Sequence, residues 1–176
     1  MQKLVYTLVM FSIATFSGSA YSQALLEIEW YEPEKYTDVR ASYGGRQRFK
    51  QSTFKRLDEY ILKLAQSLPD GHKLKLKVTD LDLAGHVWPS SFVGFGNGAS
   101  DIRVIKGVDI PRMYFSYQLI DGKDDLVQQA DVKLKDMAFL QTHNSHFSKD
   151  GLRYEKNMLK RWFNQEFKNL VEVNKS

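Results

Sequence analysis

Two carboxylates and a histidine close the most regular stretch of the sequence. Asp80 and Asp82 stand two residues apart, and His86 follows just beyond Gly85. Carboxylates two apart on a strand point to the same side, and together with an imidazole they could hold a divalent metal ion. The chemistry to expect of such a site is metal-assisted hydrolysis.

A structural role for these carboxylates is the competing interpretation. At the end of a strand, a carboxylate commonly accepts hydrogen bonds from backbone N–H groups or pairs with an arginine, here Arg103 or Arg112. His143 and His146 lie three apart and could add metal ligands if their segment is helical. The sequence has no zinc-protease motif of two histidines around a glutamate, and no nucleophile or dinucleotide-binding motif.

A run of basic residues leads into the first predicted helix without a single acidic residue. Its members are Arg40, Arg46, Arg48, Lys50, Lys55 and Arg56. Positive charge opposes the dipole at a helix N-terminus, so an anion bound to the free N–H groups there would relieve the conflict. The candidate anion-binding residues are Arg40, Arg46 and Arg48. The alternative is a solvated basic face, neutralised by Asp38 or Glu34.

Aromatic residues on a glycine-rich and serine-rich loop form a third candidate site. Residues 85–100 read as one long loop that carries Trp88, Phe92 and Phe95. Long loops without regular structure are usually either functional or disordered, and aromatic side chains argue against disorder. The loop could contact a sugar, a peptide or a partner protein, or it could fold back over an edge of the sheet.

The first 22 residues have the order of a secretory signal peptide. One basic residue, Lys3, precedes an uncharged apolar run over residues 4–16, and small residues follow up to Ser22. An apolar run of this length is short for crossing a bilayer, which takes about 20 residues. We therefore expect export to the periplasm, a mature chain of residues 23–176 and no transmembrane segment in it.

Composition narrows the class of protein further. The chain has no cysteine, which excludes disulfides and thiolate metal sites. Removing Lys3 with the leader leaves 24 of the 25 basic residues against 21 acidic ones, a net charge of +3. A charge this small in an exported protein does not indicate nucleic-acid binding.

The apolar periodicity predicts one α+β domain, with the elements in the order β-α-β-β-β-β-α. The predicted strands lie at residues 26–30, 74–85, 102–110, 113–120 and 127–135. One predicted long helix begins at Arg46, and the other follows a cap at Ser148 or Asp150. We expect a mainly antiparallel sheet of about five strands with both helices packed on it. Within the central strand the apolar parity changes after Val78, which predicts a β-bulge near Thr79 and Asp80.

Several short segments together resemble a known family. They are Trp30, Pro33, residues 36–40, Arg48-Phe49, residues 78–85, Pro111-Arg112, residues 134–137, residues 154–156 and residues 161–163. In these segments the chain resembles the uncharacterised exported bacterial family named domain of unknown function 3016. The resemblance implies a single domain in the envelope of a Gram-negative bacterium, and it implies no activity, cofactor or site residue.

These patterns together favour a soluble periplasmic protein that acts as a non-catalytic binding or accessory module of the cell envelope. We expect no cofactor, and a partner that is either an envelope protein or an anionic envelope component. The alternative function is a metal-assisted hydrolase that uses Asp80, Asp82 and His86.

Overall fold

The structure is a computed structural model that describes residues 24–41, 45–93, 101–141 and 149–173. The predicted leader over residues 1–22, and also Phe95, His143 and His146, lie outside the described residues. No described helix is both long enough and apolar enough to cross a membrane.

The described chain contains six strands and three α-helices. They are β1 (Leu25–Trp30), α1 (Arg46–Ala65), β2 (Lys73–Asp82), β3 (His86–Trp88), β4 (Ile102–Val104), β5 (Arg112–Ile120), β6 (Leu126–Lys135), α2 (Arg153–Glu166) and α3 (Lys168–Val173). Short 3₁₀ turns lie at Pro33–Lys35 and Ser90–Val93. The α+β class predicted from the sequence is confirmed.

The main sheet is mixed and has four strands in the order β1-β2-β5-β6. β1 runs parallel to β2, whereas β2 with β5 and β5 with β6 are antiparallel pairs. The prediction of a mainly antiparallel sheet of about five strands is therefore corrected. α1 carries the chain back to the end of the sheet where β1 begins. β2 therefore enters the sheet in the same direction as β1.

The strand predicted over residues 102–110 is also corrected, because only Ile102–Val104 is extended. This short β4 pairs with β3, which lies inside the predicted loop, and the two form a separate small sheet. Gly85 turns the chain out of the main sheet with a positive φ of 78°. A Cβ at Gly85 would lie 2.5 Å from the carbonyl oxygen of Val104, so only glycine fits between β2 and β4.

β2 contains the predicted bulge. Val78 pairs with Phe115 but Asp80 pairs with Tyr114, so Thr79 is the extra residue. Leu74, Leu76 and Val78 are buried before the bulge, and Leu81 and Leu83 after it. The change of apolar parity in the sequence thus gives the position of the bulge correctly.

Both long helices pack on one face of the main sheet and share its apolar core. The core side chains of α1 include Leu57, Ile61 and Ala65, and those of α2 include Leu159, Trp162 and Phe163. In β5 every second residue from Met113 to Leu119 faces the same core. The opposite face of the sheet carries polar side chains, and the ends of its strands position the candidate sites.

Candidate functional site

Asp80 and Asp82 lie on the open face of the sheet, and each one holds a neighbouring segment. The bulge precedes both of them, so they point to the same side, opposite Tyr114 and Arg112 of β5. The backbone N–H and the hydroxyl of Thr37 donate to the two oxygens of Asp80, both at 2.8 Å. Arg112 donates to Oδ2 of Asp82 at 2.6 Å. Burial raises the pKa of Asp82, and the Arg112 guanidinium opposes that rise.

Asp38 brings a third carboxylate to the same end of β2. Its N–H donates to the carbonyl of Leu81 at 3.3 Å, and its own carbonyl accepts from the N–H of Leu83 at 3.1 Å. Residue 38 therefore continues the parallel edge of the sheet beyond β1. The carboxylate of Asp38 is buried, and its Oδ1 accepts the N–H of Arg40 at 3.1 Å.

The guanidinium of Arg103, on β4, links residues 38–40 to the segment that follows β2. Its Nη1 lies 3.2 Å from Oδ2 of Asp38 and 2.9 Å from the carbonyl oxygen of Gly85. Its Nη2 donates to the carbonyl of Arg40 at 2.9 Å. Nδ1 of His86 is 3.9 Å from the same oxygen of Asp38, and the His86 side chain is 56% exposed.

Glu155 is the fourth carboxylate, and it reaches the end of β2 from the helix side. Its Oε1 accepts the N–H of Ala84 at 2.8 Å, while its Oε2 is buried and has no hydrogen-bond partner among the described residues. Burial raises the pKa of Glu155, and the hydrogen bond from Ala84 works against that rise. We call Asp38, Asp80, Asp82 and Glu155, with Arg103 and Arg112, the carboxylate network.

The suggested metal ligands Asp80, Asp82 and His86 do not form one ligand group within the described chain. The described part of the chain contains no group of three or more His, Cys, Asp or Glu side chains that could hold a metal ion. Asp80 binds Thr37, Asp82 binds Arg112, and His86 lies beside Asp38, so the three suggested ligands have separate neighbours. The network ties residues 37–40 to the end of β2.

The basic residues at the start of α1 meet in a cavity of about 330 Å³. Arg40, Arg46 and Lys50 line this cavity together with Tyr36, Thr37 and Gln47. Arg48, the third predicted anion-binding residue, is exposed and is not part of its lining. We call this space the α1 cavity.

The charges of the α1 cavity are only partly neutralised. Lys50 is 3.1 Å from Glu34, and it also donates to the carbonyl of Pro33. Among the described residues, the guanidiniums of Arg40 and Arg46 are in no ion pair. Of the two suggested neutralising partners, Glu34 lines the cavity and pairs with Lys50, whereas Asp38 pairs with Arg103.

The first turn of α1 adds backbone N–H groups beside the α1 cavity. α1 has 20 residues, begins after Gly45 without a side-chain cap, and has no acidic residue in its first turn. Its first backbone N–H groups therefore lack a carboxylate partner from this turn, next to Arg46. The electrostatic potential at this end of the helix is positive, because the helix dipole and the arginine side chains both contribute positive charge.

A larger groove of about 700 Å³ crosses the open face of the main sheet. Glu27 and Glu29 of β1 stand beside Lys75 and Lys77 of β2, with separations of 3.4 Å and 3.6 Å. Because positive and negative side chains alternate and neutralise one another here, the groove does not favour a ligand of either sign. Its size alone does not make it the candidate site.

Two of the three aromatic residues of the predicted loop are described by the structure, Trp88 and Phe92. Trp88 is half-buried in β3, and Nζ of Lys106 lies 3.8 Å from the centre of its ring. Phe92 is 78% exposed on the short turn that follows. Phe95 lies outside the described residues, so these three side chains are not seen together as a contact surface.

The sequence interpretation missed Asp38 as a member of the network, and it missed Glu155 altogether. Glu155 precedes Leu159, Trp162 and Phe163 by four, seven and eight residues, so it occupies the apolar stripe of α2. An acid at such a position signals a buried carboxyl group. The sequence around Asp38 has no comparable signal, because the position of Asp38 depends on its parallel pairing with Asp82, beyond the end of β1.

Comparison with known proteins agrees with the resemblance seen in the sequence. The model of a family described as protein of unknown function, DUF3016, matches residues 24–165. No curated protein and no solved structure matches the chain.

Proposed function

The chain belongs to the DUF3016 family, and we propose that it is an exported, non-catalytic binding module whose α1 cavity holds an anionic group. A phosphate or carboxylate group fits the chemistry of the site, because guanidiniums bind both with paired hydrogen bonds. An anionic component of the cell envelope or an acidic partner protein would carry such a group.

One observation carries this proposal: two arginines without ion pairs in the described chain meet in a cavity of about 330 Å³. That volume is at the small end of the range for ligand pockets, about 300–1,000 Å³, and suits a single charged group. Lys50 adds a third positive charge, and Glu34 offsets one of the three.

The carboxylate network supports binding at this place by fixing one wall of the cavity. Asp80 holds both polar groups of Thr37, while Asp38 and Arg103 hold the N–H and the carbonyl of Arg40. A wall fixed before the ligand arrives lowers the conformational entropy that binding costs. Catalysis by Asp80 and Asp82 is disfavoured, because each carboxylate already holds a structural partner.

Export and periplasmic location rest on the leader-like residues 1–22, whose basic start, apolar run and small-residue end are typical of a signal peptide. The proposed place of action is the periplasm, where lipid headgroups and polysaccharides offer many phosphate and carboxylate groups.

Thermal melting with added anions tests the binding role. Inorganic phosphate or sulfate, compared with chloride at equal ionic strength, should raise the melting temperature of the protein recovered from cells that express the full chain. An anion at a hundredfold its Kd adds about 2.7 kcal/mol to the free energy of unfolding. Arg40→Ala and Arg46→Ala should each reduce the rise.

Arg48→Ala is the matched control, because this arginine is close in sequence but does not line the α1 cavity. The rise should survive in Arg48→Ala. An equal loss in Arg46→Ala and Arg48→Ala would show general charge screening and would contradict a site at the cavity.

A further inference from the structure

The outer edge of β6 is open to another strand. β6 has 10 residues and, among the described residues, pairs with β5 alone. Leu126 and Val127 at its start are 52% and 46% exposed. Unpaired edge strands expose N–H and C=O groups that readily pair with a further strand.

The charges along β6 are arranged for pairing with a second copy. Asp131, Lys133 and Lys135 lie on the open face of the sheet, opposite Ser116, Tyr114 and Arg112 of β5. If two β6 strands pair antiparallel with Val132 opposite Val132, Asp131 of each copy faces Lys133 of the other. Opposite charges placed directly across a strand pair stabilise it.

Neighbouring registers place like charges together. Centring the pair on Asp131 sets two aspartates opposite each other. Centring it on Lys133 still sets Asp131 opposite Lys135 of the other copy, but it also sets two lysines opposite each other. If Val132 instead faced Asp131 of the other copy, the two sheets would present opposite faces, because side chains alternate between the faces of a strand. Charge and facing therefore select the register centred on Val132.

The register centred on Val132 also places apolar residues opposite one another. On the helix side Val132 meets Val132, and Leu134 meets Ala130 of the other copy; Val132 and Leu134 are only partly covered within one chain.

We propose that two copies of this chain pair through their β6 strands, antiparallel about a two-fold axis at Val132, and join their four-stranded sheets into one of eight strands. The contact is isologous, as in most homodimers, and it leaves both α1 cavities outside the pairing. It does not depend on the anion-binding role.

Charge reversal tests the register. Asp131→Lys and Lys133→Asp should each weaken self-association about tenfold, measured by sedimentation of the protein recovered from cells that express the full chain. The double variant that carries both changes restores opposite charges across the axis and should associate like the wild type. Both positions are exposed, so the fold should tolerate each change.

Cysteine crosslinking tests the position of the axis in a chain that has no cysteine of its own. In Val132→Cys the two sulfurs face each other, because opposed Cα atoms in antiparallel strands lie about 4.5–5.5 Å apart, within disulfide range. Ala130→Cys is the control, since residue 130 faces Leu134 and not itself. Val132→Cys should form covalent dimers much faster on mild oxidation, although Ala130 is the more exposed residue.

Three outcomes would overturn the proposal. They are a wild type that sediments as a monomer at every soluble concentration, a double variant as weak as the single ones, and crosslinking of Ala130→Cys that is equal to or faster than that of Val132→Cys.

Discussion

The carboxylate network and the α1 cavity are both dense in charge, but they differ in how that charge is paired. In the network Asp38 meets Arg103 and Asp82 meets Arg112, while Asp80 holds Thr37 and Glu155 holds the N–H of Ala84. In the cavity Arg40 and Arg46 have no ion-pair partner among the described residues, and Lys50 alone is paired. The carboxylates of the network are thus engaged by the fold, whereas two cations of the cavity remain available to an anion, and the proposed binding role depends on this difference.

The two regions are also physically connected. Thr37 lines the cavity and binds Asp80, while the backbone of Arg40 is held by Asp38 and Arg103. The network thus acts as the support of the cavity. Mutations in the network should lower stability first, and mutations in the cavity should lower binding with little effect on stability.

The largest effect on stability is expected for Arg103→Ala. Its guanidinium contacts Asp38 and the carbonyls of Gly85 and Arg40, and only 16% of the side chain is exposed. Removal leaves the Asp38 carboxylate buried without its ion partner, which should cost about 3 kcal/mol in the free energy of unfolding. Urea unfolding followed by circular dichroism measures this loss.

Arg103→Lys should restore only part of that loss, because an ammonium group cannot reproduce the fork of a guanidinium. A wild-type urea midpoint in Arg103→Ala would show that the network does not hold residues 37–40 in place.

A double-mutant cycle on Asp82 and Arg112 should show the next largest effect. Arg112→Ala leaves the partly buried Asp82 carboxylate without its partner and should cost about 2 kcal/mol. Asp82→Asn combined with Arg112→Ala should cost less than the sum of the single changes, because the two groups act as a pair. Additive losses would separate Asp82 from Arg112 and return weight to a catalytic or metal-binding role for this carboxylate.

Glu155→Gln should change how stability depends on pH. The raised pKa of Glu155 means that the folded state holds this proton more tightly than the unfolded chain, whose Glu pKa is 4.5. The associated stabilisation is full below pH 4.5 and is lost as pH rises through the raised pKa of the folded state. The wild-type melting temperature should therefore fall in that range relative to the Glu155→Gln variant.

Gln165→Ala is the control for this comparison, because Gln165 is exposed on α2 and the change removes no titratable group. Melting temperatures across the pH series should run parallel for Gln165→Ala and the wild type. If Glu155→Gln also runs parallel to the wild type, the Glu155 carboxyl does not carry a raised pKa in the folded state.

Local features of this fold could be predicted from the sequence, and long-range pairings could not. The alternation of Leu74, Leu76 and Val78, followed by Leu81 and Leu83, gives both the buried face of β2 and its bulge. The direction of β1 depends on the α1 crossover, and the small sheet of β3 and β4 depends on Gly85; neither leaves a periodic signal.

The same distinction applies to the candidate sites. Asp82 with Arg112 was one of the pairings that the sequence suggested, because an arginine at the start of a neighbouring strand was available. Arg46 lines the cavity and Arg48 does not. This difference follows from the direction of the first helical turn relative to residues 36–40. No spacing rule supplies that direction.

An NMR titration of the isotope-labelled protein with inorganic phosphate would test the difference between the two regions most directly. The shifts of each backbone amide would be recorded at constant ionic strength. We predict saturable shifts at residues 45–48 and at Thr37, and much smaller shifts at residues 80–84. Shifts confined to residues 80–86, or none that saturate, would contradict an anion site in the α1 cavity.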